Sequence, residues 1–132
     1  MSQFTRPKHG AKKDANHAQI MRELAQMVGG WQSVGFDAYR GFVHGVQFVI
    51  VDTSQHGGLT LDTRLYVGDY ARDVEIKTPD KRNELTEGEK LYFELTPETG
   101  KIVTTAEEYY QVILELVKCE TIIRLNTRDG KF

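Results

Sequence analysis

The chain has 132 residues, 39% of them apolar and 27% charged, with a formal net charge of −2. That is enough for one domain whose core needs no disulfide or structural metal, and too little positive charge to coat nucleic acid by bulk electrostatics. No run of about 18 apolar residues occurs, the N-terminus lacks an apolar signal-peptide core, and Cys119, the single cysteine, cannot close an internal disulfide, so a cytoplasmic location with no membrane partner is expected.

Residues 1–13 carry Arg6, Lys8, Lys12 and Lys13 and no acid. They read as a basic N-terminal arm, either solvated or reaching phosphates. Residues 14–28 read as the first helix, with Asp14 as N-cap, a stripe of Ile20, Met21, Leu24, Met27 and Val28, and Gly29-Gly30 as the stop. The following stretch, Gly29 to Gly45, holds Trp31, Phe36, Tyr39 and Phe42 and gives no clear local signal. Packing over a sheet is the plain reading of these rings; a dimer surface or a wedge against unstacked bases are the alternatives.

Val46 to Val51 is a nearly continuous apolar run, expected to be a central strand covered on both faces. Ser54 to Thr60 reads as loop, with His56 as an exposed imidazole or a phosphate neighbour. Strands at about 61–67 and 72–77 then meet at Gly68-Asp69, a Gly-first two-residue hairpin turn. With that turn Val67 faces Tyr70 and Asp62 faces Glu75. Asp62, Arg64, Tyr66, Asp73, Glu75 and Lys77 share one face, and Leu61, Leu65, Val67, Val74 and Ile76 the other, as a half-buried hairpin requires.

Thr86-x-x-Glu89 is a capping box for a helix reaching about Leu95. Lys101 to Thr104 reads as a short strand. Thr105-x-x-Glu108 caps a third helix with the stripe Tyr109, Val112, Ile113, Leu116 and Val117. Cys119 to Leu125 reads as a last strand and 126–132 as a polar tail, leaving 14–125 as the domain.

Glu75-Ile76-Lys77, with Asp62 thirteen positions upstream, is the layout of a metal-dependent nuclease site. With 11 Glu and 9 Lys, roughly one Glu-x-Lys arises by chance, so the tripeptide alone decides nothing. The hairpin register lends it weight by gathering Asp62, Glu75 and Lys77 on one face. A surface ion-pair cluster is the plainer reading of the same geometry. No residue constellation of a serine, cysteine or zinc hydrolase is present.

The ordered set KKDANHAQI, GG-x-x-LD-x-x-LYVG, VEIK, ELT-x-x-E and VTTAEE, spanning most of 12–110, resembles the VRR-NUC branch of the PD-(D/E)XK nucleases, of the small stand-alone phage and bacterial type. The resemblance implies an α/β fold with an αβββαβ core, a mixed central sheet flanked by helices. It implies hydrolysis of DNA phosphodiesters with Mg²⁺ or Mn²⁺, on branched or flap DNA, by a homodimer in a bacterial or phage-infected cell. Asp62, Glu75 and the backbone carbonyl of Ile76 would hold the metal, because hard cations take oxygen ligands. Lys77 would orient a water or stabilise the charged transition state. Leu61 replaces the family's proline, and Gln19 stands where many relatives have a metal-site glutamate. Glu23, one turn on, is its substitute. Lys90 follows Leu-Thr-x-x-Glu where relatives often carry glutamine. Lys12, Lys13, Arg64, Lys81, Arg82 and Lys90 are the expected DNA contacts. His17, on the apolar stripe, is expected to be structural. A binding or scaffold module that has lost cleavage is the competing expectation, and Gln19 is its support.

Overall fold

The computed structural model describes the backbone of residues 6–55 and 59–130, and the side chains of 16–55 and 59–123; His56 lies outside the described residues. The order of elements is α1 (Arg6–Met27), β1 (Gly29–Ser33), β2 (Ala38–Val43), β3 (Val46–Asp52), β4 (Thr63–Val67), β5 (Tyr70–Ile76), α2 (Glu87–Leu95), β6 (Gly100–Val103) and α3 (Ala106–Gly130). The fold is mixed α/β. Its six strands lie side by side in chain order, antiparallel except for the parallel pair β5–β6, which the α2 crossover joins. No helix among the described residues is long and apolar enough to cross a membrane.

α1 and α3 cover one face of the sheet. Ile20, Met21 and Leu24 from α1 and Tyr109, Ile113, Leu116 and Val117 from α3 meet Phe48, Ile50, Leu65, Val67 and Val74 from the strands. Fully burying an aliphatic side chain of this kind stabilises by roughly 1.5–3 kcal/mol. Helix stripe and strand alternation therefore select the same side.

α1 starts eight residues before the expected Asp14 and takes in most of the stretch read as an arm. Pro7 suits the first turn of a helix, and alanine and lysine propagate one. α3 runs through Gly130, so the expected last strand at 119–125 and most of the tail are helical. Its Thr121-Ile122-Ile123 run suggests a strand, but Leu116, Val117 and Glu120 continue a buried helical stripe, and extending an existing helix is easier than nucleating a new element.

Gly29–Gly45, which had no expected structure, supplies β1 and β2, so the Gly-Gly pair both ends a helix and opens a strand. Trp31 stacks on Tyr39, centroids 5.0 Å apart and planes at 20°. A Cβ on Gly41 would meet the Phe48 ring at 2.7 Å, so that ring packs where only glycine leaves room. Trp31 and Tyr39 thus pack on the core as expected, whereas Phe36 is 98% exposed.

The hairpin register is the expected one: Val67 pairs with Tyr70 and Thr63 with Val74. Gly68 turns it with φ +59°, and a Cβ there would lie 2.2 Å from the Glu120 carboxylate of α3. Gly68→Ala meets both a backbone penalty of about 1–2 kcal/mol and this collision. Urea unfolding should show a loss of at least that size, with Asp69→Ala nearly silent; equal midpoints for wild type and Gly68→Ala would refute this account of the turn.

Candidate functional site

Asp62 and Glu75 sit where β4 begins and β5 ends, 1% and 3% exposed. The Asp62 backbone N–H donates to Glu75 Oε1 at 3.2 Å, and the Ile76 N–H donates to Asp62 Oδ2 at 3.0 Å. Each acid is thus tied to the backbone of the other's strand. Hydrogen bonds to an ionised acceptor are the stronger kind, and burial of the acids demands them. The Ile76 side chain, 5% exposed, anchors the same strand in the core from the opposite face.

Lys77 follows on the face of Glu75. Its Nζ lies 2.9 Å from Glu89 Oε1 and 3.7 Å from Glu75 Oε2. Its N–H donates to Val103 O at 3.0 Å, and its carbonyl accepts from Asn16 Nδ2 at 3.0 Å. The ammonium is therefore held between two carboxylates by a well-fixed backbone.

Glu89 is the residue that sequence reasoning undervalued. Its box with Thr86 forms as expected: Thr86 N–H donates to Glu89 Oε1 at 2.9 Å, and Glu89 N–H to Thr86 Oγ1 at 3.1 Å. The same carboxylate also binds Lys77 and shares a hydrogen bond with Glu75. Burial pushes the Glu89 carboxyl up, but the bonds with Glu75, Lys77 and the Thr86 backbone outweigh it and leave it below the ordinary value. The box was visible in the sequence; that its acid reaches Lys77 depends on how α2 lies over β5.

Gln19 and Glu23 lie one turn apart on α1. Both are exposed, and Gln19 Nε2 donates to Glu23 Oε2 at 3.0 Å. The α1 residues turned toward the sheet ends are Asn16 and the buried His17, whose Nε2 lies 3.9 Å from Asp52 Oδ2. The structural expectation for His17 thus accords with its burial.

Arg64 is clamped by Asp73, with Nε and Nη2 donating to the two carboxylate oxygens at 2.6 and 3.1 Å. That bond, first among the causes, holds the guanidinium still more firmly protonated than usual. The Tyr92 hydroxyl donates to the same acid, and burial together with that bond pushes it up to about 12. Arg82 donates to both Glu108 oxygens at 2.9 and 3.1 Å and to Ile102 O at 3.3 Å. Lys90 Nζ lies 3.6 Å from Glu87, and Lys81 is exposed. Lys12 and Lys13 lie on α1, but their side chains are outside the described ones. Of the expected DNA contacts, Arg64 and Arg82 therefore brace the fold itself.

Among the described residues no group of three or more His, Cys, Asp or Glu side chains is arranged to hold a metal ion. Two carboxylates with a backbone carbonyl form a smaller set of hard oxygen donors, which in kind fits Mg²⁺ or Mn²⁺ and excludes a thiolate-seeking metal. Compared with protein-family models, curated proteins and solved structures, the chain matched none.

Glu108, like Glu89, lies below its ordinary value: the Arg82 bond comes first, then the Thr104 N–H. Such carboxyls bind a proton less readily folded than unfolded. Their contribution to stability is present above the ordinary value of 4.5 and is lost as pH falls through the lower folded value. Thermal unfolding should thus fall in midpoint between about pH 5 and pH 3. Glu108→Gln should show a shallower fall, and an unchanged slope would contradict the assignment.

Proposed function

We propose that this chain is a metal-dependent DNA endonuclease built on the PD-(D/E)XK plan. The observation that carries the reading is the reciprocal backbone clamp of Asp62 and Glu75 with Lys77 held beside Glu75. The order α1–β3–β4–β5–α2–β6 supports an αβββαβ core, with β1 and β2 as a hairpin inserted after the first helix. In this reading Asp62, Glu75 and the Ile76 carbonyl hold Mg²⁺ or Mn²⁺. The ion, when bound, would acidify a water and offset charge on the scissile phosphate.

The rest falls to the chain's own side chains. Glu75 and Asp62 would hold the ion through carboxylates that accept from backbone donors. Lys77 brings a cation to the same wall, where it stabilises charge that develops on the phosphate. Glu89 positions Lys77. In this reading the substrate is branched or flap DNA, as the family resemblance implies, and the working unit is a homodimer. Sedimentation at micromolar concentration checks the latter; a monomer there rejects it.

One observation favours a second reading, a nucleic-acid-binding module without cleavage. Gln19, which stands at the position of a ligand glutamate, is exposed and bonded to Glu23, so the first helix brings no carboxylate at that position.

Incubation with nicked, flap and four-way-junction DNA and Mn²⁺ separates the two. Cutting is expected from wild type, with Glu75→Ala and Lys77→Ala each slower by at least about 10²-fold. Tight binding with no cutting of any substrate by the wild type establishes the second reading instead.

A further inference from the structure

The sheet has two unlike faces. α1 and α3 cover one; the other is touched by α2 only at its β5–β6 end, where Tyr92 meets Asp73 and Glu89 meets Lys77. Among the described residues no helix covers that face from β1 to β4. Pairing places Arg40, Val49 and Tyr66 in one row across β2, β3 and β4, and Val51 and Arg64 in the next. Phe42 lies diagonal to Val49 on the same face.

Phe42 is 38% and Tyr66 40% exposed, large values for rings on a sheet face. The row carries cations and aromatics without a carboxylate until Asp73, which is occupied by Arg64. Arg40 donates to the neutral Gln32, so that pair leaves its charge uncompensated. The face is also continuous with the candidate centre: Asp62 immediately precedes β4, four residues or ~13 Å from Tyr66, and Glu75 lies two residues beyond Asp73 on β5.

We infer that this open face, centred on Arg40, Phe42 and Tyr66, binds an unpaired segment of a DNA strand and leads it toward Asp62 and Glu75. An exposed antiparallel sheet suits splayed bases, which stack on rings of any neighbouring sequence. A duplex offers no such bases to a flat face. Arg40 supplies the contact to the phosphates between them. The inference rests on the nuclease reading for its direction, and it sharpens the substrate to DNA with an unpaired strand beside the cut.

The test is fluorescence anisotropy of the full-length protein with a labelled single-stranded deoxyoligonucleotide, the duplex of the same length and the matching ribo-oligonucleotide, with a chelator present to stop cutting. The single strand should bind about ten-fold more tightly than the duplex and no more weakly than the RNA. Tyr66→Leu and Arg40→Gln should each weaken it about ten-fold. Tyr66→Phe, which keeps the ring, should retain binding, and Phe36→Ala, at the exposed β1–β2 turn, should leave it unchanged. Near-ultraviolet circular dichroism checks that each variant is folded. Equal affinity for duplex and single strand, preference for RNA, or full binding by Tyr66→Leu overturns the inference. Cutting of duplex DNA without single-strand binding overturns this inference alone. Single-strand binding through Tyr66 without cutting by wild type upholds it and removes the nuclease reading.

Discussion

Everything on the site wall depends on two hydrogen bonds between a carboxylate and the backbone of the neighbouring strand: Asp62 N–H to Glu75, and Ile76 N–H to Asp62. A buried ionised acid is costly unless donors surround it. Here the donors come from the hairpin itself, so the acids are held only while the β4–β5 register holds. A slip of one residue would send Leu65, Val67 and Val74 to the opposite face together with the acids. The hydrophobic face thus enforces the geometry of the polar one. Gly68 fixes that register at the other end, where the turn lies against Glu120 of α3.

The same wall is finished by α2, a helix of nine residues with little core of its own. Its one buried side chain, Tyr92, is fastened to Asp73, and its cap acid Glu89 is fastened to Lys77. Folding of the first turn and placement of the ammonium are therefore one event. A helix tied by polar contacts to a sheet face, where α1 and α3 use packing, can cover only the strands that offer those groups. That is the physical reason the face is closed at β5–β6 and open from β1 to β4.

The legible parts were those where two independent signals agreed. In the hairpin, period-two alternation and a Gly-first turn gave one register, and the pairs formed as read. In α2, a capping box and its length set both ends to within a residue. The illegible parts lacked such agreement. β1, with two glycines in five residues, has poor strand propensity and exists because Trp31 packs on Tyr39 and Phe48 and because β2 pairs with it, while the strand formers of β2 were masked by the glycines around them. The start of α1 was hidden by a good cap residue, Asp14, that the helix runs through. At the end of α3, β-branched residues competed with a continuing stripe, and the stripe won. Gln19 faces away from the sheet because Ile20, Met21 and Leu24 fix the helix rotation, which turns Asn16 and His17 toward the strand ends.

Charge balance gives the cluster its last constraint. Glu75 and Glu89 flank a single ammonium, and the buried Asp62 is tied to the backbone beside Glu75, so with all three ionised the wall carries excess negative charge in a poorly solvated place. Like charges at short range raise one another's cost. The Lys77 ammonium, 2.9 Å from Glu89 Oε1 and 3.7 Å from Glu75 Oε2, is one remedy. A divalent cation on the Asp62–Glu75 side is the other, and it would act on the acid that Lys77 reaches less closely, at 3.7 Å against 2.9 Å for Glu89. The lysine's shorter bond is to the acid outside the proposed donor set. Its ammonium is thereby held by α2 whether or not Glu75 is engaged by an ion, which keeps a positive charge on the wall in both states.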